Sequence, residues 1–180
     1  GRYPEEFCHR LGGLGDKMGV VFLQLHNNFA PKNWDRLERF LEEFPKGIPL
    51  SLEVRHTDWL NDPEVSERFY TLLEKHQVAN IITDTAGRRD LLHMRLTTSS
   101  AFIRYVGANH ESDYTRLDDW FDRVKSWIDT GGIEDIYFFV HQNLEKASPL
   151  LSAYFIKRLN EELGYDLPIP MQQGGQSNLF

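Results

Sequence analysis

Short runs of apolar residues alternate along the chain with longer segments in which apolar residues recur every three or four positions. Most of the runs are continuous rather than alternating, which is typical of parallel strands that are covered on both faces. Five such runs are present: Val20–Leu25, Leu50–Val54, Asn80–Thr83, Ala101–Val106 and Ile136–Val140. The pattern therefore predicts five buried strands.

The segments between these runs predict amphipathic helices, with apolar residues on one side and charged residues on the other. Four helices are expected, at Trp34–Phe44, Pro63–His76, Leu117–Trp127 and Pro149–Leu163. Asp62 is expected to be the N-cap of the second helix. Proline is favoured at the first position of a helix, so Pro63 begins the helix and Asp62 precedes it. Gly131 and Gly164 are expected to end the third and fourth. A further helix precedes the first strand, and we interpret Leu11–Gly15 as its stop.

Strand followed by helix, repeated without a hairpin signal, predicts an α/β fold with parallel strands and outer helices. Unit spacing of roughly 30 residues fits a TIM-type βα barrel or a doubly wound sheet. No Gly-x-Gly-x-x-Gly follows a strand, so a dinucleotide-binding sheet loses its main support. A closed barrel has eight strands and at least ~200 residues, so residues 1–167 are predicted to form a partial barrel.

Composition narrows the class of protein further. The 180 residues are 41% hydrophobic and carry a formal net charge of -7, which argues against a general nucleic-acid coating protein but leaves room for a local cationic pocket. Apolar runs are too short to span a bilayer, so no membrane partner is expected. Cys8 is the single cysteine, and we expect a reducing, cytoplasmic setting.

Several phrases at the ends of the strands are similar to those of a known family. They are Gly19–Leu25 (GVVFLQL), Glu53–Trp59 (EVRHTDW), Thr83-Asp84, Phe102–Gly107 (FIRYVG) and Tyr137–Asn143 (YFFVHQN). In this order and spacing they resemble the YecE-like family, domain of unknown function 72, whose members are TIM-type barrels. The resemblance implies that these are the fourth to eighth strands and that the first three βα units are absent. The resemblance therefore implies a fold, but it does not imply a reaction, because the family's activity is not established.

The resemblance has one departure at the seventh strand. The family usually has Arg-x-His-Gly there, whereas this chain has Arg104–Gly107 with valine in place of the histidine. Chemistry that depends on that histidine is therefore not carried over. Because five parallel strands leave two unpaired edges, we expect self-association or a missing N-terminal segment to cover them.

Polar side chains at the C-terminal strand ends form the candidate site, because this end of a barrel carries function. Strand alternation places Glu53 and Arg55 on one face, and Arg104 lies on a neighbouring strand. Two convergent arginines suit an anionic small molecule or a phosphodiester. The alternative is that Arg104 pairs with Asp84 or Glu53 in the core.

The strand ends also carry the residue types of a divalent-metal site, namely His26, His56 and His141 together with Glu53 and Asp84. No local ligand spacing supports a metal, and histidines at strand ends also satisfy local hydrogen bonds. The candidate catalytic residues are Glu53, Asp84 and His141. The candidate ligand-binding residues are Gln24, Arg55, Arg104 and Asn143.

Two functions are compatible with this set of residues. The first is a hydrolase acting on a phosphate-bearing or nucleic-acid substrate, in which the arginines hold phosphate and a carboxylate binds metal or acts as base. The second is a non-catalytic anion-binding or interaction module that uses the same end of the barrel.

The polar segment 168–180 is predicted to be a flexible tail. It ends Gln176-Ser177-Asn178-Leu179-Phe180, which is similar to the pentapeptide by which many bacterial proteins dock on the DNA sliding clamp. Gln176, Leu179 and Phe180 are the candidate contacts, and Ser177 replaces the usual leucine. Two apolar anchors on a flexible tail can fill a groove on a partner. The alternative is an ordinary frayed or packed chain end.

Overall fold

The computed structural model describes residues 3–144 and 147–170. Five strands form one sheet in chain order, and each neighbouring pair is parallel. The strands are β1 Val21–Gln24, β2 Leu50–Glu53, β3 Ala79–Thr85, β4 Ser100–Gly107 and β5 Asp135–Gln142. The predicted strands and their parallel order are confirmed.

Helices follow the strands as the periodicity predicts. They are α1 Tyr3–Leu11, α2 Trp34–Glu43, α3 Pro63–Lys75, α4 Ser112–Thr130 and α5 Ser148–Leu163. Asp62 caps α3, because its side chain accepts the backbone N–H groups of Glu64 and Val65. The last two helices end at Gly131 and Gly164, both with φ of 73°, a backbone conformation that glycine adopts at little cost.

One face of the sheet is covered by the helices, and the core lies between them in two clusters. The first joins α2 and α3 to β2, and the second joins α4 and α5 to β4. Trp59 is fully buried in the first cluster, where its Nε1 donates to the carbonyl oxygen of Phe29 at 2.7 Å. Trp59 is therefore a core residue.

The other face of the sheet is concave. The ring centroids of Phe22 on β1 and Phe102 on β4 are 5.6 Å apart, although two strands separate β1 from β4. The sheet therefore curls into a half-barrel, which is the partial TIM-type fold that the sequence predicts. Among the helices that the structure describes, none combines the length and the apolarity needed to cross a bilayer.

Candidate functional site

Glu53 is the central polar residue of the concave face. It is the last residue of β2, is 1% exposed, and has both carboxylate oxygens bonded. Oε1 accepts Nε2 of Gln24 at 3.1 Å, and Oε2 accepts Nη1 of Arg104 in an ion pair. Gln24 is the register partner of Glu53 on the adjacent strand. Three of the predicted site residues are therefore brought together.

Arg104 is oriented by contacts with Glu53 and Phe22, and two of its guanidinium nitrogens remain available as hydrogen-bond donors. Glu53 bonds one terminal nitrogen, and the guanidinium Cζ lies 5.5 Å from the ring centroid of Phe22. The side chain of Arg104 is 18% exposed. Its Nε and Nη2 make no hydrogen bond with any residue that the structure describes. An oriented guanidinium with two such nitrogens is suited to an incoming oxyanion.

Arg55 does not pair with Glu53, although the two were predicted side by side. It lies two residues further along, just past the end of β2, and is partly exposed. Within residues 3–144 and 147–170 it makes no hydrogen bond or ion pair. Same-face neighbours on a strand are about 6.5 Å apart along the chain, whereas the curl of the sheet brings Arg104 directly to Glu53. The ion pair proposed as the alternative for Arg104 is the one observed.

Asp84 does not join the other site residues. Its Oδ1 accepts Nη2 of Arg116 at 2.7 Å and Nη1 of Arg89 at 3.0 Å, and its Oδ2 accepts Nε1 of Trp120 at 2.8 Å. Arg116 and Trp120 belong to α4, so this carboxylate points into the helix layer. The prediction that Asp84 and Glu53 belong to one site at the C-terminal ends of the strands is therefore wrong. Strand alternation places their side chains on opposite faces of the sheet.

A second buried carboxylate, that of Asp113 at the start of α4, escaped the sequence analysis. It accepts the backbone N–H groups of Ala108 and His110, Nε2 of Gln142, and Nη1 of Arg116 at 3.3 Å. These bonds fix the loop that follows β4 at the C-terminal end of the strand. The available signal was the i, i+3 spacing of Asp113 and Arg116 on one helix.

The histidines at the strand ends serve mainly local structure. Nδ1 of His26 accepts the backbone N–H of Asn28, and Nδ1 of His56 accepts that of Asp58, both at 3.2 Å. In the described part of the chain, no three His, Cys, Asp or Glu side chains are grouped so that they could hold a metal ion. The local hydrogen bonds proposed as the alternative are therefore observed for two of the three histidines.

The remaining predicted residues lie at the end of β5 or beyond it. His141 is on β5 and is the register partner of Val106, and Asn143 is exposed just after the strand. The candidate clamp contacts Gln176, Leu179 and Phe180 lie outside the described residues.

Two titratable groups around β3 and β4 have shifted pKa values. Burial raises the pKa of Tyr105, whose hydroxyl donates to the carbonyl oxygen of Asp113. Burial lowers the pKa of His93 to about 4, and its Nε2 lies 3.1 Å from the carbonyl oxygen of Ile81. Both groups therefore remain uncharged at neutral pH, and both tie a loop or a helix to the sheet.

Comparison with known proteins decides the family. The family described as "Protein of unknown function DUF72" matches residues 2–174. The chain belongs to the DUF72 family. This DUF72 chain is 25% identical over 197 aligned residues to UPF0759 protein YecE of Escherichia coli strain K12, covering 97% of the chain and 70% of YecE. YecE of Escherichia coli O157:H7 gives the same figures.

Two crystal structures of a DUF72 family protein from Enterococcus faecalis V583 share the fold. One superposes with a TM-score of 0.71 at 16% identity, covering 87% of this chain and 68% of that protein. The other gives a TM-score of 0.68 at 14% identity, covering 96% and 70%. The resemblance inferred from the strand-end phrases is thereby confirmed.

Proposed function

We propose that the concave face of the half-barrel binds an anionic ligand through a phosphate group and does not cleave it. The observation that carries this proposal is the state of Arg104. Glu53 and Phe22 orient its guanidinium, and two of its nitrogens have no bond to any described residue. Arg55 lies two residues after Glu53, just past the end of β2, and brings a second guanidinium to this end of the sheet. Planar guanidinium groups recognise phosphate oxygens through paired, charge-assisted hydrogen bonds.

Local charge supports an anion even though the chain is acidic overall. Glu53 and Arg104 neutralise each other, so Arg55 adds an uncompensated positive charge to this end of the sheet. A cationic patch in a concave surface concentrates the field and attracts anions, an effect that salt weakens. Binding is therefore expected to fall as ionic strength rises.

Binding fits the geometry better than hydrolysis does. A hydrolase of the predicted kind needs a carboxylate that is available as a base or as a metal ligand. Both oxygens of Glu53 are engaged by Gln24 and Arg104, and Asp84 accepts three hydrogen bonds on the helix side. Neither carboxylate is presented to a ligand on the concave face.

Calorimetric titration at low salt tests phosphate binding, with inorganic phosphate and ribose 5-phosphate as the probes. We expect saturable binding of ribose 5-phosphate that weakens with added salt. Arg55→Gln should weaken it at least about tenfold, since a charge-assisted hydrogen bond contributes about 1.5–3 kcal/mol. Arg39→Gln, on the outer surface of α2, is the matched control and should bind like the wild type. Absence of saturation, or full affinity in Arg55→Gln, contradicts the proposal.

A separate assay distinguishes binding from the hydrolase alternative. The protein is incubated with bis-(p-nitrophenyl) phosphate and added Mg²⁺, Mn²⁺ or Zn²⁺. We expect no release of nitrophenol above that of buffer and metal alone. Turnover that is present in the wild type and lost in Glu53→Gln would replace the binding proposal with the hydrolase.

We also propose that the C-terminal residues dock on the DNA sliding clamp. The supporting observation is the sequence itself: Gln176 is followed three residues later by Leu179 and Phe180, after a polar stretch that contains Gly174 and Gly175. Short apolar anchors on a polar segment are a recurring means of filling a groove on a partner.

Surface plasmon resonance on immobilised clamp tests the tail. The full chain is expected to bind, and the double substitution Leu179→Ala with Phe180→Ala is expected to abolish the signal. Met171→Ala removes an apolar side chain from the same segment outside the pentapeptide and should leave binding intact. Equal binding by the double variant and the wild type rules the assignment out.

A further inference from the structure

We infer that the phosphate of the ligand is held by the Nε2–H groups of His26 and His56 together with Arg55, at the C-terminal ends of β1 and β2. This inference rests on the proposed phosphate binding and adds two residues that recognise the phosphate. It is drawn from two turns of the same design, called here the twin turns: residues 26–29 after β1 and residues 56–59 after β2.

The twin turns are built from the same pair of hydrogen bonds. In each, the backbone N–H of the fourth residue, Phe29 or Trp59, donates to the carbonyl oxygen of the histidine, at 2.8 Å and 3.2 Å respectively. In each, Nδ1 of the histidine accepts the backbone N–H of the third residue, Asn28 or Asp58, at 3.2 Å. Hydrogen bonds within four residues therefore fix which edge of each imidazole ring faces its own turn.

Contacts between aromatic residues join the twin turns to each other. Nε1 of Trp59 donates to the carbonyl oxygen of Phe29 at 2.7 Å, and the two rings are stacked with their centroids 6.3 Å apart. Trp59 is fully buried. The relative position of the two turns is thus fixed by bonds inside the chain and does not depend on what covers the free edge of β1.

The two histidines and Arg55 follow neighbouring strands. The last register pair of β1 and β2 is Gln24 with Glu53, and the backbone N–H of Leu25 still donates to the carbonyl oxygen of Glu53 at 2.9 Å. Counted onward from that pair, His26 comes level with Arg55, and the second histidine is the next residue. Because neighbouring strands are about 4.8 Å apart, these three residues are neighbours at one edge of the sheet.

The bond to Nδ1 decides which ring nitrogen carries the proton. A nitrogen that accepts an N–H has no proton of its own in the neutral ring, so Nε2 of both histidines carries it. Nδ1 of His56 also lies 3.5 Å from Oδ1 of Asp58, and a second proton there would make a cation that still donates from Nε2. Neither Nε2 has a hydrogen-bond partner among residues 3–144 and 147–170. Each turn therefore presents a free N–H donor.

Such donors suit an oxyanion and do not suit a metal ion. A histidine that binds a metal uses an unprotonated ring nitrogen, and its other nitrogen donates to a carbonyl or carboxylate oxygen. In the twin turns the inner nitrogen accepts instead, so the outer one is protonated. Two N–H groups match the oxygens of a phosphate, and Arg55, which has no ion pair in the described part of the chain, adds the positive charge. His26 and His56 are thus assigned to the phosphate.

Asparagine substitutions separate the donor from the turn. The side-chain oxygen of asparagine can accept the backbone N–H that Nδ1 accepts, but no atom of asparagine reaches the position of Nε2. His26→Asn and His56→Asn should each weaken ribose 5-phosphate binding at least about tenfold, the scale of one charge-assisted hydrogen bond. The melting temperature of each variant should stay close to that of the wild type.

His110 provides the matched control. Its Nδ1 also accepts the backbone N–H of the residue two positions on, Ser112, at 3.2 Å, but it lies after β4 and outside the twin turns. His110→Asn should bind ribose 5-phosphate like the wild type, and a loss equal to that in His56→Asn overturns the inference. Circular dichroism confirms folding before each titration. Should an asparagine variant not fold, His26→Ser or His56→Ser also keeps an acceptor for the turn, with the same loss expected.

Nitrogen-15 NMR of the imidazole rings provides a measurement that a purely structural role would not affect. We expect the proton on Nε2 of both His26 and His56, and we expect both Nε2 resonances to shift on addition of ribose 5-phosphate. A proton on Nδ1 alone overturns the inference. Titration with Zn²⁺ tests the metal alternative, and tight Zn²⁺ binding that is lost in both asparagine variants also overturns it.

The outcomes distinguish this inference from the function on which it rests. Wild-type affinity in both His26→Asn and His56→Asn, alongside weakened binding in Arg55→Gln, overturns the role of the histidines and leaves phosphate binding standing. Failure of the wild type to bind ribose 5-phosphate overturns the proposed function and this inference together.

Discussion

The guanidinium of Arg104 on β4 is bonded to the carboxylate of Glu53 on β2, across the intervening strand β3. The two partners differ in their access to water, since Glu53 is 1% exposed and the side chain of Arg104 is 18% exposed. The carboxylate therefore depends on its partner to offset the loss of hydration, whereas the guanidinium can still contact solvent.

This asymmetry predicts unequal effects on stability. Arg104→Met leaves a buried carboxylate without its cation and should lower the free energy of unfolding by about 3–5 kcal/mol. Glu53→Gln removes the buried charge, keeps an amide oxygen for Gln24, and leaves a cation that water can reach. Its cost should be about 1–2 kcal/mol. Urea unfolding of both variants at pH 7 measures the difference.

An exposed ion pair provides the control for this comparison. Arg95 bonds Glu74 at 2.8 Å, and both side chains are 41% exposed. Arg95→Met should cost less than about 1 kcal/mol, as is usual for surface pairs. Equal losses in Arg104→Met and Glu53→Gln would contradict the asymmetry.

Gly107, the last residue of β4, leaves no room for a side chain. A Cβ at this position would lie 2.5 Å from Oε1 of Gln142 and 2.7 Å from Oδ2 of Asp113. Both oxygens accept backbone N–H groups of the loop after β4, so neither side chain can move without losing a hydrogen bond. Gly107→Ala should cost about 1–3 kcal/mol, the usual scale of overpacking.

Thermal unfolding measures this loss, at about 2–4 °C in melting temperature per kcal/mol for a domain of this size. Gly19→Ala is the matched control, because nothing lies within 4 Å of its Cβ position. That variant should match or slightly exceed the wild type, since alanine restricts the unfolded chain. A Gly107→Ala protein as stable as Gly19→Ala would show that the loop accommodates the methyl group.

Most of the fold could be predicted from the sequence, because its signals are local. Continuous apolar runs indicate strands buried on both faces, and the 3.6-residue period indicates the helices between them. Asp62 before Pro63 marked the start of α3, and Gly131 and Gly164 marked the ends of α4 and α5. These effects act over a few residues and need no knowledge of the folded shape.

The candidate site was less predictable, because it depends on which face each side chain occupies and on how far the sheet curls. All but the last residue of β3 are buried, so the strand has no polar–apolar alternation to show that Asp84 faces the helices. The period of two predicted Glu53 and Arg55 as neighbours on one face, whereas Arg55 lies just past the end of β2 and makes no ion pair in the described part of the chain. That period could not show that Arg104, two strands away, is the partner of Glu53.

The pKa of His93 predicts a loss of stability in acid. Burial lowers this pKa from its ordinary value of 6.5 to about 4. The carbonyl oxygen of Ile81 can only accept, so Nε2 carries the proton, and Nδ1 lies 3.5 Å from the amide nitrogen of Asn80. Between pH 6.5 and pH 4, His93 is protonated in the unfolded chain and remains neutral in the folded chain. Stability present above pH 6.5 is therefore lost as the pH falls.

The expected loss is up to about 1.4 kcal/mol per pH unit, or about 3 kcal/mol over the whole window. Urea unfolding of the wild type and His93→Gln at several pH values measures it, because glutamine does not titrate and can still donate to Ile81. The stability difference between the two proteins should shrink as the pH falls from 6.5 to 4. His9→Gln, on the exposed side of α1, should run parallel to the wild type. A constant difference between wild type and His93→Gln would contradict the lowered pKa.

Asp84 and Arg55 should have opposite roles, and one pair of measurements distinguishes them. Asp84 is 2% exposed and accepts hydrogen bonds from two arginines and a tryptophan on the helix side. Asp84→Asn leaves those cations without a carboxylate and should cost about 2–4 kcal/mol in the free energy of unfolding. Arg55 has no such partner in the described part of the chain, so Arg55→Gln should change stability by less than about 0.5 kcal/mol.

Ribose 5-phosphate binding should show the reverse order. Asp84→Asn, titrated at a temperature where it is fully folded, is expected to bind like the wild type, because its carboxylate does not face the concave side. Arg55→Gln is expected to bind at least about tenfold more weakly, as one charge-assisted contact is removed. Loss of ribose 5-phosphate binding in folded Asp84→Asn would show that the carboxylate of Asp84 contributes to the binding site. Loss of stability in Arg55→Gln would mean that its guanidinium supports the fold instead of meeting a ligand.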